Sequence, residues 1–193
     1  MRSECLLAVK YHHQQSPDSC LAACVKMAVQ YFGSHLDELE FYRKSRFSRK
    51  YPGLCDVCIA STLIKMGYKV ISYWDGRMED WGVWTDELSS LYKRAEIKAK
   101  KTKKYVHKHN ASLETIKEFI DKHIPVISEV LAGEFYNTHE IGTHMVLIRG
   151  YDKRGFLICD PWSGQGFITY EHFMRSWSPN KLFGRSLIVI LPE

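Results

Sequence analysis

The stretch that decides the fold is HQQSPDSCLAAC, residues 13–24. A turn-forming Ser-Pro-Asp-Ser run ends directly before Cys20, and an apolar pattern with helical spacing begins at that cysteine. A thiol at a helix N-terminus lies among unpaired backbone N–H groups at the positive end of the helix dipole, which favours the thiolate. The side-chain amide of Gln14 is the kind of donor that stabilises an oxyanion beside such a sulfur. We therefore predict a cysteine nucleophile.

Size and composition are those of a folded globular protein. The chain has 193 residues, of which 45% are hydrophobic and 25% charged. No apolar run approaches the roughly 20 residues that a transmembrane helix needs, and the N-terminal apolar stretch is too short for a signal peptide. We therefore expect a cytoplasmic protein. In an unsecreted chain of this size, six cysteines favour free thiols over a disulfide framework.

The chain reads as mainly helical up to about Asn110. Three helices are predicted at Cys20–Phe32, Leu36–Ser45 and Cys55–Met66, and a fourth begins at Thr85 or Asp86. A strand is predicted at Tyr68–Tyr73, followed by an irregular aromatic stretch, Trp74–Trp84. This half therefore forms a helical lobe, residues 12–110.

The second half reads as rich in β-structure. A helix at Leu113–Lys122 precedes the strands, which are predicted at Pro125–Leu131, His144–Tyr151, Phe156–Cys159 and Leu187–Leu191, with a short N-terminal entry strand at Leu6–Tyr11. Short turns between these strands favour antiparallel pairing. We predict an α+β fold of one domain, residues 1–193. Its helical lobe packs on a β-rich lobe, residues 111–193 plus the entry strand, and the cleft between them is the expected active site.

A cysteine nucleophile needs a base and a group that orients the base. His144 begins an apolar strand and is the base that we predict, and Asp160, at the end of the next strand, is the predicted orienting carboxylate. In a hairpin these two side chains face the same side only if the number of loop residues is odd or a bulge shifts the register. Gly155 is a candidate bulge residue. Asp152 is an alternative orienting group, whereas His139 is assigned no role.

Other polar and sulfur-bearing residues compete for these roles. Gln15 competes with Gln14 as the oxyanion donor, but the six-residue offset from Cys20 favours Gln14. Cys24 lies one helical turn further into the helix and is predicted to belong to the core. Cys55 and Cys58 have the C-x-x-C spacing of zinc and redox sites, but the segment also reads as the first turn of an apolar helix. We predict no metal and no organic cofactor.

Taken together, these residues resemble a known family. Gln14, Cys20 with the Ala-Ala-Cys helix after it, Gly142-Thr143-His144 and Asp160-Pro161 are similar to the papain-like cysteine peptidases that process the double-glycine leader peptides of bacteriocins. The resemblance implies that Cys20 is the nucleophile, His144 the general base and acid, Asp160 the orienting group and Gln14 the oxyanion donor. Leu21 departs from the pattern, because many members have glycine there, and a larger side chain can narrow the substrate cleft.

The resulting functional prediction is hydrolysis of a peptide bond in a peptide or protein substrate. Two alternatives stay open: a papain-like binding or regulatory module without turnover, and an acyltransferase that uses the same residues. We see no transporter or membrane segment attached, which argues against a role in peptide export. The basic run Lys93–His109 reads as a solvated helix and linker or as a weak site for an anionic partner.

Overall fold

The computed structural model describes residues 2–47, 50, 53–75, 86–177 and 184–193. The helices are α1 (Cys20–Tyr31), α2 (Glu38–Ser45), α3 (Asp56–Lys65), α4 (Asp86–Lys101), α5 (Leu113–Asp121), α6 (Ala132–Tyr136) and α7 (Tyr170–Trp177). The strands are β1 (Cys5–Leu6), β2 (Tyr68–Tyr73), β3 (Tyr105–Lys108), β4 (Val126–Leu131), β5 (Thr143–Tyr151), β6 (Gly155–Asp160), β7 (Gly164–Thr169) and β8 (Leu187–Pro192). None of the helices in these ranges is long and apolar enough to cross a bilayer.

One eight-stranded sheet organises these elements. Its strand order is β3-β2-β8-β4-β5-β6-β7, and β1 pairs with one end of β5. Neighbouring strands run antiparallel, except that β2 and β3 are parallel. The helix α1 packs on β5 and β4, and α3 packs on β2. The predicted α+β class is therefore confirmed, and β2 and β3 join the same sheet as the C-terminal strands.

Several elements differ from the predicted ones. The basic run contains a strand, β3, and is therefore not only helix and linker: α4 ends at Lys101, Lys103 adopts a left-handed φ of 58°, and Tyr105 then pairs beside Val70. The entry strand is confined to Cys5–Leu6. The strand β7 and the short helix α6 were not predicted. Most of the predicted irregular stretch, residues 76–84, and Thr85 lie outside the described residues.

A partly buried carboxyl group joins the helices on the β2 side to the sheet. Asp56, the first residue of α3, accepts hydrogen bonds from Ser72 on β2 (2.5 Å), Tyr92 on α4 (3.0 Å) and Tyr105 on β3 (2.6 Å). Burial, followed by the charge of Asp56, raises the pKa of both tyrosines, so their hydroxyls stay protonated donors. This network ties four elements together.

A bulge in β5 sets the relation between His144 and Asp160. Leu147 pairs with Cys159, but Gly150 pairs with Leu157, so the register shifts between Ile148 and Gly150. Continuing the register past Leu147 brings Asp160 level with residue 146, and alternation along the strand puts His144 on that same face. Without the shift, Asp160 would be level with Leu147 and would face the other side. The bulge is therefore in β5. The prediction of a bulge at Gly155 is wrong, because the register shift lies between Ile148 and Gly150 and Gly155 pairs regularly with Thr169 on β7.

We expect a methyl group at Gly150 to disturb this bulge. A Cβ atom there would lie 2.5 Å from the carbonyl oxygen of Cys5 and 3.1 Å from the Cα atom of Leu6, and both are backbone atoms. Gly150→Ala should therefore lower the free energy of unfolding by about 1–3 kcal/mol, measured by urea denaturation. Gly166→Ala is the matched control, because the nearest atom to its Cβ is a side-chain carbon at 4.0 Å. Equal losses in the two variants would contradict the prediction.

Candidate active site

The structure places Cys20 at the first position of α1 with its side chain partly exposed. Ser19 occupies the N-cap position, but its side chain makes no capping hydrogen bond to α1. Instead, the Ser19 hydroxyl accepts the N–H of Ser16 (3.0 Å). The first turn of α1 is thus left without a cap from the Ser19 side chain, and Cys20 lies at the positive end of the helix dipole.

His144 lies between the cysteine and a carboxylate. The imidazole is 9% exposed, and its Nε2 atom lies 2.8 Å from Asp160 Oδ1. Cys20 lies close enough to the imidazole to raise its pKa. Because Nε2 faces the carboxylate, Nδ1 is the nitrogen left to take the proton of a thiol. The structure therefore brings His144 and Asp160 into direct contact and places Cys20 near the imidazole.

Burial and hydrogen bonding act in opposite directions on His144. Burial lowers the pKa of the imidazole, but the hydrogen bond with Asp160 and the nearby thiol and carboxylate of Cys20 and Asp160 raise it, and the net result is a pKa of about 9. The ordinary value is 6.5. The imidazole is therefore mainly protonated at neutral pH in this environment.

Asp160, the last residue of β6, is held by four donors. Its Oδ1 atom accepts from His144 and from the backbone N–H of Trp162 (2.9 Å), and Oδ2 accepts from Tyr136 (2.8 Å) and from the Ser163 hydroxyl. Burial raises the pKa of the carboxyl, but the hydrogen bonds from His144, Ser163 and Trp162 outweigh it and lower the pKa to about 2. Asp160 is therefore a fixed carboxylate.

Three of these donors were missed in the sequence. The Asp-Pro-Trp-Ser order carries a local signal for two of them, because an aspartate in a turn commonly accepts from residues two and three positions later. Tyr136 carries no such signal, since it contacts Asp160 from the short helix α6, 24 residues away. Its ring also lies beside His144, with ring centroids 5.7 Å apart.

Gln14 is buried, with 5% of its surface exposed, whereas the competing Gln15 is exposed. Its backbone N–H donates to the carbonyl oxygen of Pro161 (2.9 Å), which places it beside Asp160. Its side-chain nitrogen donates to the carbonyl oxygens of Ser16 (2.8 Å) and Pro17 (3.1 Å). Among the described residues, its Oε1 atom is buried and has no hydrogen-bond partner. The amide thus braces its own loop in this structure.

The remaining cysteines and Leu21 lie apart from these contacts. Cys24 is fully buried, and its thiol donates to the carbonyl oxygen of Met145, as expected for a core residue. Leu21 packs in the hydrophobic core with 2% exposure, so it does not narrow the cleft. Cys55 and Cys58 are free thiols at the start of α3, and their sulfur atoms lie 2.9 Å apart.

The other charged candidates lie elsewhere. Asp152 forms an ion pair with Arg154 (3.0 Å) in the turn between β5 and β6, and His139 is exposed on the loop before β5. Two lysines of the basic run are paired within the chain, Lys100 with Glu96 and Lys104 with Glu193. None of these residues takes part in the contacts around His144 that the structure describes.

Comparison with known proteins identifies a family for this chain. Residues 6–181 match the sequence pattern of the Peptidase_C39 like family. The chain belongs to this family. The predicted resemblance to papain-like, bacteriocin-processing peptidases and the predicted enzyme class, a papain-like cysteine peptidase, are thereby confirmed. A comparison with curated proteins finds no match.

Solved structures share the fold of this C39-like chain. A C39-like peptidase from Bacillus anthracis has a TM-score of 0.64 at 14% identity, covering 100% of this chain and 99% of that one. The peptidase domain of Streptococcus ComA, a bifunctional ABC transporter involved in quorum sensing, has a TM-score of 0.61 at 14% identity, covering 96% and 99%. A double-glycine-motif protease from an AMS/PCAT transporter, solved with its leader peptide, has a TM-score of 0.57 at 16% identity, covering 97% and 94%.

Proposed function

We propose that this C39-like peptidase hydrolyses peptide bonds with Cys20 as nucleophile, His144 as general base and acid, and Asp160 as the group that orients His144. The observation that carries the proposal is the position of His144, whose Nε2 atom lies 2.8 Å from Asp160 and whose pKa is raised by the nearby Cys20. A base between a nucleophile and an orienting carboxylate is the arrangement that acyl transfer through cysteine requires.

The first half of the reaction forms a thioester. At the start the proton of Cys20 is on Nδ1 of His144, and the thiolate attacks the carbonyl carbon of the substrate. The oxyanion that forms accepts hydrogen bonds from the Cys20 backbone N–H and from the Gln14 amide, which gives up its longer contact to Pro17 to do so. The His144 imidazolium then protonates the leaving amine, and the C–N bond breaks.

The second half regenerates the enzyme. His144, now neutral, removes a proton from water, and the resulting hydroxide adds to the thioester carbonyl. Collapse of this intermediate releases the carboxylic acid and returns Cys20 to the thiolate paired with the imidazolium. Asp160 holds the Nε2–H of His144 through both halves, which keeps Nδ1 available to the sulfur and to water.

We infer that the substrate is a peptide or protein segment. The likeness to a double-glycine-motif protease that was captured with a leader peptide supports a peptide containing such a motif as the first probe. Products of its incubation with the protein are identified by mass spectrometry. Two fragments are the expected result, one ending in a newly formed carboxyl group and the other beginning with a newly formed amino group. No turnover of any probe in a peptide library would favour a binding module, and transfer of the acyl fragment to an added amine in preference to water would favour an acyltransferase.

The oxyanion role of Gln14 has its own test. Gln14→Ala should lower kcat by about 10²- to 10³-fold, because one donor to the oxyanion is lost. Gln15→Ala is the matched control, since its side chain is exposed and its backbone contacts remain. A Gln14→Ala variant with normal kcat and a lowered Tm would show that the amide only braces its loop.

The remaining predictions concern the whole chain. We propose that residues 1–193 act as one peptidase domain and that it works in the cytoplasm, where six free thiols are the normal state. A weak anionic partner at Lys93–His109 stays a prediction, and salt-sensitive retention on heparin would be its first test.

A further inference from the structure

Glu38 is a buried carboxyl group directed at the loop that carries Gln14 and Cys20. It is the first residue of α2 and has 0% exposure. Its Oε1 atom accepts from the backbone N–H of Gln15 (2.8 Å) and from the Ser19 hydroxyl (2.6 Å). Its Oε2 atom lies 2.6 Å from His12 Nε2. All three partners lie within residues 12–19.

We propose that Glu38 is a positioning residue for the Cys20 site, which fixes the 12–19 loop in the shape that presents Gln14 and Cys20 together. The inference rests on the proposed peptidase function and adds to it a residue outside the contacts around His144. A buried carboxyl group is costly to desolvate unless several donors surround it, so its use here points to a requirement for a defined loop shape.

The contacts of Glu38 flank both functional residues. Gln15 directly follows Gln14, and Ser19 directly precedes Cys20. The opposite side of the loop is fixed by the hydrogen bond from the Gln14 N–H to Pro161, the residue after Asp160. The loop is therefore held between α2 and the end of β6, and Glu38 supplies the α2 side.

Glu38 also keeps the Ser19 hydroxyl from capping the N-terminus of α1. The Ser19 hydroxyl lies between Glu38 and Ser16 and makes no capping bond to α1. The unpaired N–H groups of the first turn are consequently left for the sulfur of Cys20 and for an oxyanion. Removal of the carboxyl group would free the hydroxyl to cap the helix and compete for those N–H groups.

Charges beside Glu38 suit this role. Lys26 on α1 places its Nζ atom 3.2 Å from His12 Nε2, so an ammonium group and an imidazole both lie on the Oε2 side of the carboxyl group. This contact ties α1 to the same network. Movement of α2 relative to α1 would therefore shift the residues around Cys20 directly.

The test compares Glu38→Ala and Glu38→Gln with a control in the same helix, Asp37→Ala. Asp37 caps α2 through the N–H of Glu40 and makes no contact with the 12–19 loop that the structure describes. For a cleavable peptide, Glu38→Ala should lower kcat about 100-fold with KM within about threefold, because misplaced reacting groups mainly affect the chemical step. Glu38→Gln should recover most of the rate, since its carbonyl oxygen can still accept from Gln15 and Ser19. Asp37→Ala should lower Tm and leave kcat within about twofold.

Each other outcome decides against the proposal or against its premise. Normal kcat in a folded Glu38→Ala variant, or a loss of kcat in Asp37→Ala equal to that in Glu38→Ala, would overturn the positioning role. If Glu38→Ala does not fold, Ser19→Ala decides: it removes one contact, and an unchanged kcat would overturn the role. A wild-type protein whose Cys20 is unreactive toward iodoacetamide would instead overturn the proposed peptidase function.

Discussion

Replacing Cys20 with alanine lowers kcat/KM for a cleavable peptide by at least about 10⁴-fold, because the residue that forms the thioester is lost. The side chain is only partly buried, so the folded protein should keep its stability within about 0.5 kcal/mol. The measurement is the initial rate of peptide cleavage together with urea unfolding of the same preparation. The variant should therefore lose peptide cleavage and keep its folded structure.

Cys24→Ala is the matched control for this result. Cys24 lies one turn further along α1, is fully buried and donates to the carbonyl oxygen of Met145. Its removal should cost stability through a small cavity and one lost hydrogen bond, with kcat nearly unchanged. If Cys24→Ala abolished cleavage and Cys20→Ala did not, the assignment of the nucleophile would be wrong.

Asp160→Asn should lower kcat by about 10²- to 10⁴-fold, although the side chain keeps its size. The carboxylate accepts the Nε2–H of His144, which leaves Nδ1 free to take the proton of Cys20. An asparagine amide can donate to Nε2 instead, and the imidazole then carries its proton on Nδ1 and is no longer a base toward the thiol. Asp152→Asn is the control, because that carboxylate pairs with Arg154 in a turn.

The pH dependence of kcat is a second test of the role of Asp160. The His144 pKa is raised to about 9, so the imidazolium that protonates the leaving amine is present below that pH, and kcat should fall as pH rises through about 9. Because the pKa is raised on folding, protonated His144 stabilises the folded protein. This stabilisation is complete below pH 6.5 and is lost as the pH rises through about 9. In Asp160→Asn the charge and hydrogen bond that raise the pKa are gone, so the basic limb should move to lower pH. An unchanged limb would show that His144 is not the titrating group.

Local sequence patterns predicted much of the fold. The run of small and apolar residues after Cys20 has helical spacing and forms α1, and the β-branched segment at Leu187–Leu191 forms most of β8. The α+β class follows from these strong local signals. Helix and strand ends shifted by one or two residues, as at α1, because capping and tertiary contacts fix them.

The parts that the sequence did not predict depend on long-range contacts. The shift in β5 lies where β1 pairs with Gly150, so no pattern within β5 reveals it. Tyr136 reaches Asp160 from another element, and Glu38 reads locally as an ordinary polar residue in the first turn of a helix. In contrast, Cys20, His144 and Asp160 each lie at the end of a strong local element, which is why spacing alone made them candidates.

The most direct test of the central claim is the alkylation rate at each of the six cysteines. Native protein is treated with a low dose of iodoacetamide near neutral pH, and peptide mapping gives the rate at every thiol. The account predicts that Cys20 reacts at least about tenfold faster than Cys5, which is partly exposed as well, because Cys20 lies at a helix N-terminus near the His144 imidazole and Cys5 lies in the strand β1. A Cys20 that reacts no faster than Cys5 would contradict the claim that it is an activated nucleophile.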